Sequence, residues 1–170
     1  AGLFDPHKKR IPLRSPCRIG VITSPQGAAI HDVITTLSRR APHVSIILYP
    51  CQVQGSDAAA TVVRAIDTAN RRQEVDTLIV CRGGGSMEDL WCFNEEAVIQ
   101  SISRSQLPII CAIGHESDTT LAELVADVRA ATPTAAAELA SMSQTQLRQL
   151  IEKHQAQLSL SMQFRLSQCI

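Results

Sequence analysis

The chain has 170 residues, 45% hydrophobic and 19% charged, and its 16 Lys and Arg balance its 16 Asp and Glu. That suits one ordinary domain with its own core, and it excludes a disordered chain or a strongly basic nucleic-acid tail. Neutrality still permits a local basic patch, so a nucleic-acid partner stays open. The six cysteines (Cys17, Cys51, Cys81, Cys92, Cys111 and Cys169) form no CxxC pair and no small disulfide framework. They read as free thiols of a reducing compartment, which predicts a cytoplasmic protein. No run of about 18 apolar residues predicts a membrane span, and no signal peptide opens the chain. The start, "AGLFDPHKKRIPLRSP", lacks Met and suggests a piece of a longer protein.

From Arg18 the pattern alternates. "RIGVITS" (18–24) is a short β-branched run, followed by Pro25-Gln26-Gly27 and a helix-like segment from residue 28 to about 40. "VSIILYPC" (44–51) predicts the second strand, and Gly55-Ser56-Asp57 signals the start of the helix "AAATVVRAIDTANRR". "TLIVCRG" (77–83) and "NEEAVIQSISRS" (94–105) repeat the pair. "PIICAIG" (108–114) is a fourth strand, leading through "HESDTT" into a helix-like "LAELVADVRA". Near-continuous apolar strands alternating with amphipathic helices predict an α/β fold. Its parallel sheet would have about four or more strands with helices on both faces, Rossmann-like, followed by a long C-terminal helix. Ligands of such sheets collect beyond the carboxyl ends of the strands. The segments found there, "SPQG", "QVQGSD", "RGGGS" and "GHESD", predict a shared polar rim. No GxGxxG follows the first strand, so a dinucleotide fingerprint is absent.

From Thr134 to Ile170 the chain contains no Gly or Pro. Leu147, Leu150, Ile151, Leu158, Met162 and Leu166 fall near one helical face. This section is expected to open a coiled coil, the competing reading being a terminal helix packed on the domain.

Several rim residues carry candidate chemistry. Consecutive glycines after a strand can aim backbone N–H groups at one point, and the following helix adds its positive end. Arg82 offers a planar fork suited to phosphate; the plainer reading is a tight turn with Arg82 paired to Glu88 or Asp89. His115 and Asp118 stand three apart and would share one side of a helical turn, as proton-transfer group and orienting carboxylate. The plainer reading makes Ser117 or Asp118 the N-cap of the next helix. Asp32 lies in the first helix near the rim, where it serves either the helix dipole or the site. Ser24 follows the first strand without a G-x-S-x-G elbow, which argues against a serine hydrolase. No strong zinc spacing is present, and a magnesium site would usually show more acidic groups. Trp91 is read as packing against the sheet, with base stacking as the alternative. The residues alone thus reach an anion-binding rim with acid/base groups, and no substrate.

Taken together, "GAAIHD", "YPCQVQG", "IDTANRR", "RGGGSMEDLWCFNEE" and "GHESDTTLAELVADVRAATPTAAAE" closely resemble the large subunit of exodeoxyribonuclease VII, over about Gly2 to Glu138. The resemblance implies an enzyme that degrades single-stranded DNA from both ends into short oligonucleotides. It implies that Asp32, Arg82, His115 and Asp118 form the catalytic set, and that residues 18–133 are the catalytic domain. Residues 1–17 would be the connector from an OB-fold domain, and 134–170 the start of a coiled coil gathering several copies of a small subunit. Glu123 departs from the family, which often has Asp there, with the charge kept. Under this reading Arg82 and the Gly83–Gly85 amides hold the scissile phosphate, with Ser24 and Ser86 also on the substrate. No cofactor is strictly required and no metal ligand is assigned, though a magnesium-assisted variant stays open. Two other readings remain at this point: a non-catalytic nucleotide or sugar-phosphate binding module using the same glycine cradle, and an assembly domain acting through its terminal helix.

Overall fold

The computed structural model describes residues 3–83, 90–114 and 119–167. Strand β1 (Arg18–Thr23) is buried at five of its six positions, and β3 (Thr77–Cys81) and β4 (Ile109–Ala112) at every position. Unbroken apolar runs of this kind form where helices cover both faces of a sheet. Strand β2 (Ser45–Pro50) is more exposed, as befits an edge, and β5 (Val128–Arg129) is a two-residue strand at the other edge. The strands are parallel, in the order β2-β1-β3-β4-β5. Leu48, Val21, Ile79, Ile110 and Val128 stand side by side across all five.

Helix α1 (Ala28–Arg40) connects β1 to β2, and α2 (Ala58–Arg72) connects β2 to β3. The chain reverses direction across the sheet between these two crossovers, so crossovers of one hand place the helices on opposite faces. Ile30, Val33 and Leu37 of α1 pack with Ile19, Val21 and Ile79. Val62, Ile66 and Ala69 of α2 pack with Ile22, Leu78 and Val80 on the other side. Helices α3 (Glu96–Arg104) and α4 (Leu121–Val125) join the α2 face, while α5 (Pro133–Leu139) joins the α1 face.

Gly20 occupies the tightest point of the α2 face. A Cβ there would lie 2.6 Å from Leu78 Cδ2 and 2.9 Å from Tyr49 Cε2. Those side chains close over β1 only because nothing projects from it.

Two expected helices differ. "LAELVADVRA" stops being helical after Val125, and Val128–Arg129 pair with Ile110 and Cys111 as β5. The cause is tertiary: buried Asp127 accepts from Ile109 N at 2.7 Å and Arg10 N at 2.7 Å, tying the segment to the start of β4. The run from Thr134 likewise divides. Helix α5, capped by Thr132 Oγ1 on Ala135 N, buries Ala136 and Ala137 against α1. A separate helix, α6 (Gln144–Ser167), then begins at a reciprocal cap. Gln146 N donates to Ser143 Oγ at 3.1 Å, and Ser143 N to Gln146 Oε1 at 2.9 Å. Leu150, Ile151, Leu158 and Met162 of α6 are all exposed.

The amino edge of the sheet is closed by carboxylates. Asp76 accepts from Cys17 N and Arg18 N, and Asp127 holds Arg10. Arg40 Nε, at the end of α1, reaches Ser141 O at 3.5 Å, so α6 also departs from this edge.

Replacing Gly20 with Ala is expected to cost roughly 1–3 kcal/mol through overpacking. Urea unfolding of the variant measures it, and an unchanged midpoint would show that Leu78 and Tyr49 can yield.

Candidate active site

Parallel strands bring their following loops to one edge, and the reversal of strand order opens a crevice there between β1 and β3. In this chain that crevice is a cleft of about 580 Å³. Ser24, Gln26, Gly27 and Ala28 form the β1 side, and Gln52, Val53 and Gln54, after β2, form a second wall. Arg82 and Gly83, after β3, complete it.

The β1 side delivers a helix end. Gly27 N donates to Ser24 O at 3.3 Å, turning the chain into α1. Gly27 is the N-cap, no side chain among the described residues caps the helix, and its first turn holds no acidic residue. The amides of that turn therefore present the positive end of a 13-residue helix to the cleft. Gly83 lies over the same turn, its would-be Cβ 3.9 Å from Ala29 N. That is an ordinary contact, so packing among the described residues does not demand glycine at 83.

Arg82 is 4% exposed. Its backbone N–H donates to Ala112 O at 3.1 Å, carrying the β3–β4 ladder one residue past the strand and fixing where the guanidinium starts. Asp32 is on the second turn of α1, exposed, and near enough to the end of β3 to act on Cys81. Burial pushes the Cys81 thiol up to about 12; a hydrogen bond with Thr23 opposes the rise and the Asp32 carboxylate adds to it. The structure thus gathers Ser24, Arg82 and Gly83 around one cleft, with Asp32 beside it. Gly84, Gly85, Ser86, His115 and Asp118 lie outside the described residues.

Both ends of the segment carrying His115 and Asp118 are nevertheless anchored. Glu123, 1% exposed, accepts from Thr120 N at 2.9 Å and Thr120 Oγ1 at 3.2 Å. The same carboxylate takes longer contacts from Gly114 N at 3.4 Å and Ile113 N at 3.5 Å, and Arg129 Nε stands 3.5 Å away. One buried carboxylate thus joins the end of β4 to the start of α4. Thr120 is the N-cap of α4. That corrects the plainer reading of Ser117 or Asp118, because the capping role falls to a residue beyond both.

Trp91 is also corrected. It does not pack against the sheet: it is 68% exposed, while Leu90, Cys92 and Phe93 around it are buried. The cleft includes Gln52 and Gln54 of "QVQGSD", a segment the strand-end pattern predicts on the rim; sequence reading overlooked the α1 amides beside it, and it noted Glu123 only as a departure from the family. The T-x-x-E spacing of Thr120 and Glu123 was the available signal for the last.

Cys51, Cys81 and Cys111 near this end of the sheet are free and buried, and Cys92 is buried as well. Burial, then the neighbouring Cys81 and Cys92 thiols, push Cys51 up to about 12; burial first also raises Cys111. Such thiols stay protonated and inert at neutral pH. No cluster of three or more His, Cys, Asp or Glu side chains able to hold a metal occurs among the described residues.

The family model described as "Exonuclease VII, large subunit" matches residues 3–169. The chain belongs to the exonuclease VII large-subunit family. It is similar to the exodeoxyribonuclease 7 large subunit of Tolumonas auensis, 52% identical over 98% of this chain and 37% of the relative. The protein of that name from Serratia proteamaculans is 54% identical over 98% of this chain and 36% of its own length. For Thiobacillus denitrificans the figures are 54%, 90% and 34%. The chain therefore spans little more than a third of the length of these relatives.

Two outcomes follow from the buried groups. Glu123→Ala leaves several buried donors without their acceptor and should lower the unfolding free energy by about 3–5 kcal/mol in urea titrations. An effect of a few tenths would show the clamp to be dispensable. The raised thiols set an alkaline limit. Their contribution is whole below the unfolded thiol value near 9, and is lost as pH rises from there toward the folded value of about 12. Thermal midpoints should therefore fall above about pH 9, less steeply in a Cys51→Ala, Cys81→Ala variant; a flat profile would contradict this.

Proposed function

We propose that this chain is the hydrolytic part of an exodeoxyribonuclease that degrades single-stranded DNA from both ends and releases short oligonucleotides. The observation that carries the reading is the cleft where the uncapped start of α1 meets the buried Arg82. Both are positive, both are held by backbone geometry, and a phosphodiester is the anion of matching size and fork. The names of the relatives favour a nuclease over a bare nucleotide-binding module.

In the proposed reaction, Arg82 and the first amides of α1 hold the scissile phosphate, with Ser24 and Gly83 alongside. Water adds to phosphorus and one P–O bond to a sugar oxygen breaks. The proton lost by water and the proton gained by the leaving sugar oxygen balance, giving a phosphate monoester and a hydroxyl. His115 is assigned that proton transfer, and Asp118 and Asp32 orient it or polarise the water. Arg82 and the helix amides stabilise the charge developing on the non-bridging oxygens. Gly84, Gly85 and Ser86 are proposed to extend the cradle. No step is assigned to a metal, and magnesium remains a question for the assay.

The same reading assigns residues 18–133 as the catalytic domain, 1–17 as the connector from an OB-fold and 134–170 as the opening of the coiled coil that gathers several small subunits. The packing of α5 on α1 supports moving the last boundary to about the cap at Ser143. Exposed Leu150, Ile151, Leu158 and Met162 on α6 support a partner for that helix. The buried free thiols suit a reducing, cytoplasmic location.

The test is cleavage of end-labelled single- and double-stranded DNA by a full-length large subunit carrying this chain, assembled with its small subunit. Short oligonucleotides are expected from the single strand, with and without chelator. His115→Ala should lower kcat roughly 10²- to 10⁴-fold and Arg82→Ala roughly 10²- to 10³-fold. Normal cleavage by folded Asp32→Ala and His115→Ala variants would sink the site.

A further inference from the structure

The chain has five aromatic residues among 170. Tyr49 and Phe93 are buried, Phe4 lies before the 3-10 turn Pro6–Lys8, and Phe164 lies far along α6. Trp91 is exposed and is next in the chain to Cys92, which reaches the cleft wall.

Trp91 opens a short 3-10 turn, Trp91–Asn94, whose next two residues, Cys92 and Phe93, are 7% and 0% exposed. Cys92 Sγ lies 3.9 Å from Val53 O, on the wall of the cleft. Burial raises the Cys92 thiol, and the charge of Arg82 is close enough to lower it. At the far end of the turn, Asn94 Oδ1 accepts from Leu121 N at 2.7 Å, fastening it to the start of α4. Leu121 and Leu124 of α4 are exposed as well. The turn that carries Trp91 therefore lies near the chain leaving β3 at Arg82 on one side and, through Leu121, the start of α4 on the other. Arg82 opens the first stretch, and His115 and Asp118 precede the second in the chain.

We propose that Trp91 is a stacking platform for an unpaired base of the strand whose phosphate occupies the cleft, a subsite that rests on the nuclease reading above. A single strand offers alternating phosphates and flat apolar bases, and its binding sites pair a positive groove with aromatic faces. The cleft supplies the positive groove. An exposed indole supplies the face, next in the chain to Cys92, whose Sγ lies 3.9 Å from Val53 O on the groove's wall. Stacking is indifferent to base identity, which suits an enzyme that must pass every base of a strand. A duplex keeps its bases inside and cannot use the platform, so Trp91 also contributes to the preference for single strands.

The test is steady-state cleavage by the full-length large subunit with its small subunit. The substrates are an oligothymidylate and a strand of equal length in which abasic residues replace the bases. Trp91→Ala should raise KM for the oligothymidylate roughly 5- to 100-fold, with a much smaller change in kcat. Trp91→Phe should recover most of the loss. On the abasic strand the unaltered enzyme should already bind weakly, and Trp91→Ala should add nothing. An unchanged KM for oligothymidylate, or an equal loss on both strands, overturns the platform. So does failure of Trp91→Ala to assemble with the small subunit, which would make the indole a protein contact. Asp32→Ala separates this from the underlying reading. Loss of cleavage there beside a normal Trp91→Ala removes the platform alone, whereas normal cleavage by Asp32→Ala removes the site and the platform with it.

Discussion

A parallel sheet has two unlike edges, and the organisation of this chain follows from that constraint. All five strands run the same way, so every loop leaving a strand emerges at one edge and every return arrives at the other. At the arriving edge, Asp76 and Asp127 accept from the amides of Cys17, Arg18, Arg10 and Ile109, tying the chain that enters the strands to the sheet. Cys17, just before β1, and Ser141, just before α6, are also held there. The departing edge is left for chemistry, and the reversal between β1 and β3 decides where on it the cleft falls.

Two features suited to an anion meet at the cleft: the start of α1 and Arg82, which is 4% exposed. Under the proposed function they act on a phosphate in a site shielded from water, where charges act more strongly. Glu123 bears on the loop after β4. By joining Ile113 and Gly114 to Thr120, it sets both ends of the segment that holds His115 and Asp118. Among the described residues the nearest would-be contact of a Cβ at Gly83 is 3.9 Å away, so their packing does not demand glycine there.

Much of the fold was legible because its signals are local and repeated. Four apolar strand runs, the helix at residues 28–40 and the helix after Asp57 all sit where periodicity predicts. The misses arise where a distant contact overrules a local pattern. "LAELVADVRA" keeps a helical rhythm, yet the bonds of Asp127 to Ile109 and Arg10 make its end a strand. Gly20 carries no sequence mark of the Leu78 and Tyr49 side chains that close over it. The break before α6 was written in Ser143-x-x-Gln146, but the absence of Gly and Pro masked it. Strand-end reasoning placed Ser24, Arg82 and Gly83 on one rim, and they line one cleft. It missed the helix amides because a backbone donor has no letter of its own. Trp91 was misread because large aromatics are usually core, and nothing in "DLWCFNEE" says that Cys92 and Phe93 turn inward while the indole turns out.

The central claim is that a phosphate of single-stranded DNA sits between the start of α1 and Arg82. Its most direct test is the structure of a full-length large subunit carrying Asp32→Asn, bound to a short oligothymidylate under conditions where cleavage is blocked. The expected result is a phosphate within hydrogen-bonding distance of the Arg82 guanidinium and of the Ala28 and Ala29 amides. A strand bound elsewhere, with the cleft holding only water, would contradict it.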